Sequence, residues 1–161
     1  MNYFKIEYKM IEGKEWIKRD FPNAIQLYNF VKPIRHLINI KEKWIDVDGF
    51  DGRYQISNLG NLRSNWGKRK KSKNFRPTKH GYLRVDLYKP MEVKTGNRNS
   101  NRKSLLGHCL VAQAFCYNAE PDLLDEVDHM NGYCDYNEFW NLRWADRIMN
   151  LDNRKFNDTP F

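Results

Sequence analysis

The sequence predicts an α+β fold made of three small units in series: an N-terminal ββα unit, a β-rich middle, and a C-terminal strand–loop–strand–helix unit. Three observations predict it. Apolar side chains alternate at period two near the start, then switch to helical spacing after residue 22. From residue 42 the apolar residues come in short groups punctuated by Gly49, Gly52 and Gly60, as short strands and tight turns require. In the last third, two short apolar groups flank a loop of about ten residues that opens with Asn131-Gly132, and a helical pattern follows.

In the first unit, Phe4, Ile6, Tyr8 and Met10 alternate with Lys5, Glu7 and Lys9, the pattern of a half-buried strand. Glu12-Gly13 supplies a turn, and residues 15–21 read as the returning strand. Pro22 suits a first helical residue, with Asp20 or Phe21 ahead of it. Ala24, Leu27, Tyr28 and Val31 then place an apolar stripe on a helix that should end before Pro33, and residues 35–41 can add a further strand. No chemistry is legible in residues 1–41, which read as an accessory module. In the middle, residues 81–88 predict a strand with Leu83, Val85 and Leu87 on one face, and residues 89–103 a long polar hairpin loop. From Ser104 the spacing of Leu106, Leu110, Val111, Ala114 and Phe115 turns helical, until Asn118-Ala119-Glu120-Pro121 stops it. The expected division is 1–41, 42–103 and 104–161.

Composition narrows the function classes. The chain has 161 residues, 40% of them apolar and 14% aromatic, so it can bury a core. No run approaches ~18 consecutive apolar residues and the N-terminus lacks an apolar signal segment, which predicts no membrane span and no secretion. Cys109, Cys116 and Cys134 form no CxxC pair, arguing against a disulfide framework or a four-cysteine zinc site and for a reducing cytoplasm. The net charge of +8 is unevenly spread: +4 over residues 1–41, −2 over 42–62, +12 over 63–103 and −6 over 104–161. A basic middle beside an acidic last third suits a polyanion-binding surface next to organised carboxylates. The run Lys68-Arg69-Lys70-Lys71, read as a loop joined to a strand, fits phosphate contact better than membrane adhesion. A solvated basic loop is the plainer alternative.

The chemistry sits in the last third. Asp128 and His129 are adjacent, and on a regular strand their side chains point to opposite faces unless the strand ends or distorts there. Asp146 is a good N-cap for a helix reaching about Arg154, on which Arg147, Asn150 and Arg154 form a polar stripe beside a core stripe of Ile148 and Leu151. A carboxylate and the amide oxygen of Asn150 are hard ligands of the kind Mg²⁺ accepts. A nearby imidazole can take a proton from water, a combination suited to metal-assisted phosphodiester hydrolysis. By itself, an Asp-His pair serves equally well in a turn or a surface contact.

The stretch Val127-Asp128-His129-Met130-Asn131-Gly132, continuing to Asn141-Leu142-Arg143-Trp144 and Asn150, closely resembles the HNH endonuclease family in its phage homing-endonuclease form. Gly107-His108 through Phe115 resembles the helix preceding this motif, and residues 42–64 resemble a small nuclease-associated DNA-binding module. The resemblance implies a ββα-metal unit laid against the DNA minor groove. It also implies His129 as general base, and Asp128 and Asn150 as ligands of one Mg²⁺ or Mn²⁺ ion. Asn141 would tie the loop and hold His129 in place. It leaves Asn131 and Asn137 structural, and His108 more a packing residue than a catalytic one. The expected partner is double-stranded DNA, with a monomer favoured. Arg63, Lys68, Arg69, Lys70, Lys71, Arg76, Lys79, Arg84, Arg147 and Arg154 are the candidate contacts. The expected setting is the cytoplasm of a bacterial host, with the gene carried by a phage. A non-catalytic DNA-binding regulator on the same scaffold, or a host-defence nuclease, would share most of these features.

Overall fold

The computed structural model describes residues 4–66, 69–90 and 101–157, with side chains of the last helix described as far as Asn153. In the N-terminal unit the alternating pattern forms β1 (Phe4–Met10), which pairs antiparallel with β2 (Ile17–Phe21) on one side and β3 (Ile38–Ile40) on the other. Between β2 and β3 runs α1 (Ala24–Ile34), burying Leu27, Tyr28 and Val31 against the sheet. Its N-cap is Asn23, whose side chain accepts a hydrogen bond from the Gln26 amide at 2.9 Å, so Pro22 precedes the helix instead of opening it. The helix also continues through Pro33 to Ile34. A proline in the last turn of a helix removes a single intrahelical bond, and this one is exposed. One 3₁₀ turn (Arg35–Leu37) then leads into β3, so the unit is ββαβ.

The middle forms two antiparallel sheets. The first has the order β4 (Trp44–Asp46), β5 (Tyr54–Ser57), β6 (Leu62–Ser64) and β7 (Lys71–Lys73). Part of the basic run expected as a loop is therefore the edge strand β7, paired with β6 from Leu62↔Lys73 to Ser64↔Lys71. The second sheet joins β8 (Arg76–Pro77), β9 (Leu83–Tyr88) and β10 (Arg102–Leu106). β9 falls within the expected strand 81–88, whereas Arg102 and Lys103, expected in the loop, open β10; most of the connecting loop, residues 91–100, lies outside the described residues. Residues 104–106 belong to β10, so the helix expected from Ser104 begins later, as α2 (Gly107–Phe115). Leu105 and Leu106 carry the apolar pattern into the helix while still paired to β9, which is why the spacing alone ran them together.

The C-terminal unit is the antiparallel pair β11 (Glu126–His129) and β12 (Leu142–Ala145), followed by α3 (Arg147–Asn157). Asp146 caps α3, its carboxylate accepting from the Met149 amide at 2.7 Å. The expected core stripe of α3 is reversed: Ile148 is 71% and Leu151 42% exposed, while Asn150 is buried. The cause lies on β11, which presents the half-buried Glu126 and the buried Asp128 to this helix, and carboxylates covered by a helix demand hydrogen-bond donors over them rather than methyl groups.

One cluster of buried apolar side chains runs from Phe4 and Ile6 through Ile56, Leu62 and Leu87 to Leu110, Trp140 and Leu142, so the three units share a core. Asn58, in the turn after β5, marks the junction. Its side-chain oxygen accepts from the Lys43 amide, its amide nitrogen donates to the Lys41 carbonyl, and its own carbonyl accepts from the Phe139 amide at 2.9 Å. Two residues on, Gly60 has φ +80°, and a Cβ there would lie 3.1 Å from the Cβ and carbonyl oxygen of Asn137. Among the described residues no helix is long and apolar enough to cross a membrane. Gly60→Ala combines a left-handed backbone with that collision and should cost roughly 1–3 kcal/mol of stability, read from urea unfolding midpoints. An unchanged midpoint would show that this contact is soft.

Candidate active site

The site is built on the loop between β11 and β12, residues 130–141, which contains only one short 3₁₀ turn (Phe139–Asn141) of regular structure. Its shape is set by side chains. Asn141 is fully buried; its Oδ1 accepts from the Asn131 amide at 3.1 Å, and its Nδ2 donates to Asn131 Oδ1 and to the Tyr136 carbonyl, both at 2.9 Å. The Asn141 carbonyl accepts from the Met130 amide. Asn131-Gly132 makes the expected turn, with Gly132 at φ +77° and its amide bonded to the His129 carbonyl.

His129 is the last residue of β11 and Asp128 the one before it, both buried. Their side chains meet different neighbours, as strand alternation requires. The Asp128 carboxylate accepts from Arg143 Nε at 2.8 Å, across the β11–β12 pair, and from Asn153 Nδ2 at 2.8 Å on α3. Asn153 also donates to the His129 carbonyl, pinning the strand end. Asn150 donates from Nδ2 to Glu126 on β11. Asp128 and Asn150 thus both stand at the β11–α3 interface, each already bonded to a protein partner. Arg143, Asn153 and Glu126 were not among the residues expected at the site. The i, i+3 spacing of Asn150 and Asn153 on α3, and the Asp128↔Arg143 register, were the available clues.

The imidazole of His129 lies on the other side. Its Nε2 is 2.9 Å from Asn137 Oδ1; that oxygen only accepts, so Nε2 carries the hydrogen and Nδ1 the lone pair. The ring stands edge-on to His108 on α2, with centroids 4.9 Å apart, and Tyr82 lies 5.2 Å from His108 and 6.0 Å from His129. Burial lowers the His129 pKa below its ordinary value, opposed by the Asn137 bond and by Asp128 and Asp135. Burial, aided by neighbouring His129, pushes His108 further, to about 3. Both rings are therefore neutral at physiological pH, and Nδ1 of His108 is buried with no hydrogen-bond partner. Asn137, read from the sequence as structural, is in direct contact with the imidazole.

Could this set hold a divalent metal? Asp128, Asn150 and Glu126 offer oxygen donors only, the chemistry hard cations prefer, and no sulfur competes: burial pushes the Cys116 thiol up to about 12 and raises Cys109 as well. Among the described residues no cluster of three or more His, Cys, Asp or Glu side chains is placed to bind a metal. A metal here would take Asp128 and Asn150 from the protein and the rest of its oxygens from phosphate and water. It would supply charge stabilisation at a departing oxyanion.

The basic candidates divide. Arg69, Lys70, Lys71, Arg76, Lys79 and Arg84 are exposed. Arg76 and Arg84 are direct cross-strand partners on β8 and β9, a like-charged pair that costs stability unless an anion lies over it. Arg63 is already engaged: it donates twice to Gln55 Oε1, at 2.9 and 2.6 Å, and stacks 4.0 Å above Trp44. Arg147 is exposed and 3.9 Å from Glu126. Lys68 and the side chain of Arg154 lie outside the described residues.

An antiparallel strand pair with a buried Asp-His at the end of its first strand, a long amide-tied loop and a covering helix is the ββα unit of the HNH class, here behind a β-rich module. Residues 42–88 match the NUMOD4 motif. Over 112 residues the chain is 36% identical to the DNA endonuclease I-HmuI of Bacillus phage SP01, an alignment covering 70% of this chain and 57% of that relative. A solved structure of the HNH homing endonuclease I-HmuI, described for DNA binding and cleavage, superposes with a TM-score of 0.57 at 34% identity, covering 74% of this chain and 61% of the other. The chain is therefore similar to phage HNH homing endonucleases over about 70% of its length, and it spans somewhat under two thirds of the relative's length.

A depressed His108 predicts acid sensitivity. Between about 3 and the unfolded value near ~6.5 the unfolded chain binds the extra proton, so stability should fall as pH drops through that window and be unaffected by this group above it. His108→Phe should remove a loss on the order of 2 kcal/mol between pH 7 and pH 5, measured as the difference in urea unfolding free energy. Parallel pH dependence in variant and wild type would contradict it.

Proposed function

We propose that the protein is a metal-dependent DNA endonuclease that hydrolyses phosphodiester bonds in double-stranded DNA with one Mg²⁺ or Mn²⁺ ion per site. The observation that carries the reading is the Asp128-His129 pair at the end of β11, in a chain similar to phage HNH homing endonucleases. His129 is the general base: a neutral buried imidazole with its lone pair on Nδ1 is ready to take a proton from water at neutral pH. Asp128 and Asn150 would hold the metal, which would supply charge stabilisation at the departing oxyanion; Arg143 balances the Asp128 charge and Asn153 donates to its carboxylate. Asn141 ties the loop. Residues 42–103 bind the duplex, residues 104–161 cut it, and the chain acts as a monomer in the cytoplasm of a bacterial host. Whether one strand or both are cut is read directly by mapping the ends after incubation with duplex DNA and Mg²⁺, with a chelator as control.

His129→Ala should lower single-turnover cleavage by roughly two to four orders of magnitude with DNA affinity nearly intact. The wild-type rate should rise with pH and then level off, with the midpoint of the rise below the ordinary imidazole value, since burial depresses the His129 pKa. Asp128→Ala should abolish cleavage, whereas Asn150→Asp, which keeps an oxygen ligand, should retain part of it. A His129→Ala protein that cuts normally would remove the base from the mechanism.

The opposed arginines on β8 and β9 suit a phosphate between them. Replacing Arg76 and Arg84 together by Ala should weaken binding to all sequences and flatten the slope of log affinity against log salt by about 0.9, the share of one phosphate. An unchanged slope would move the DNA grip elsewhere.

A further inference from the structure

The N-terminal unit reaches the active-site loop through one concentrated contact. Arg35, just after α1, donates from Nε to Glu138 Oε2 and from Nη2 to Glu138 Oε1, both at 2.8 Å, although the two residues are 103 positions apart. Its Nη1 also donates to the Ile38 carbonyl, anchoring the guanidinium to its own unit. On the loop side, Trp140 Nε1 donates to Glu138 Oε2 at 2.6 Å and the Tyr136 hydroxyl to Oε1 at 3.4 Å. Tyr28 of α1 stacks on the Trp140 ring at 5.8 Å. A two-point guanidinium–carboxylate fork fixes orientation as well as position.

The residue next to Glu138 is Asn137, which holds His129. Asn137 is packed with no slack. A Cβ on Gly107 would fall 2.7 Å from its Nδ2, and a Cβ on Gly60 would fall 3.1 Å from its Cβ. Its Nδ2 is buried without a hydrogen-bond partner. An unsatisfied buried donor favours any rearrangement that reaches water or turns the amide over, and turning it over would present a donor to His129 and place the lone pair on Nε2. Something outside the loop must oppose that rearrangement. The Arg35–Glu138 fork, one residue away, is placed to do so.

We propose that the N-terminal unit is a positioning brace for the active site, with Arg35 and Glu138 the positioning residues that keep Asn137 accepting from His129 Nε2. The assignment rests on the role given to His129 above. On this account residues 1–41 are more than an accessory module: they select the imidazole tautomer from a distance.

The experiment compares wild type, Arg35→Ala and Arg35→Lys in single-turnover cleavage at saturating duplex DNA with Mg²⁺. DNA affinity, thermal unfolding and the ring-nitrogen ¹⁵N shifts of His129 are measured on the same proteins. Wild type should show a single Nε2–H tautomer. Arg35→Ala should lose ten- to a hundredfold in rate with affinity within about twofold, and its His129 shifts should move toward a mixture of tautomers. Lysine keeps the charge but makes only a single-point contact, so Arg35→Lys should fall between. Glu138→Ala should match Arg35→Ala, and the double variant should be no worse than either single one. A folded Arg35→Ala with wild-type rate and an unchanged tautomer overturns the brace. If alanine unfolds the protein, a folded Arg35→Lys with wild-type rate and tautomer overturns it equally. Wild type without Mg²⁺-dependent cleavage would instead refute the nuclease reading, and the ¹⁵N shifts would still decide whether Arg35 controls His129.

Discussion

A buried amide sets the limits within which the rest of this site is built. Residues 130–141 have almost no strand or helix pairing of their own, yet they lie against a core where unpaired backbone groups are costly. Asn141 meets the constraint with three bonds from one fully buried side chain, joining both ends of the loop and its middle at Tyr136. With the loop closed in this way, Asn137 and Glu138 project from fixed points in two directions. Asn137 reaches the His129 imidazole, and Glu138 reaches the N-terminal unit.

The same accounting of polar groups explains the helix that covers the site. An amphipathic helix ordinarily turns its apolar residues inward. In α3 the inward face is polar because β11 presents Glu126, half-buried, and Asp128, buried, and covered acceptors are satisfied first. Asn150 and Asn153 meet them, and Ile148 and Leu151 are left outside. The interface is thus a set of carboxylate and amide groups bonded to one another. Arg143 supplies compensating charge from the neighbouring strand.

Much of this was legible in the sequence because it depended on local rules. The alternation in β1, the Asn131-Gly132 turn and the Asp146 cap all concern residues within reach of one another along the chain. The parts that were not legible depend on distant segments. Hydropathy could not assign a polar inner face to α3, since that face is dictated by what β11 displays. Nor could it separate β10 from α2, because Leu105 and Leu106 suit either element. Pro33 ends most helical patterns, but in an exposed last turn its cost is small enough for α1 to pass through. Asn137 was read as structural because its partner, His129, is eight residues away across an irregular loop whose path no periodicity describes. Arg35 and Glu138, 103 residues apart, carry no mutual signature at all.

The charge segregation follows from this architecture. The acidic last third carries the carboxylates that the site's amides and arginines answer, and by itself it would repel a polyanion. The basic middle offsets that repulsion, but its cations must stand beside the site without neutralising the site's carboxylates. The internal carboxylates are instead answered by arginines from outside the basic middle. Arg143 and Arg35 are spent on Asp128 and Glu138 inside the protein, whereas Arg76 and Arg84 are held side by side on the β8–β9 pair with no carboxylate between them in the register. A like-charged pair retained at a cost in stability is more informative than a surface lysine, because solubility alone gives no reason to align the two. The internal arginines serve the geometry of the site, and the aligned ones fit the capture of an external polyanion.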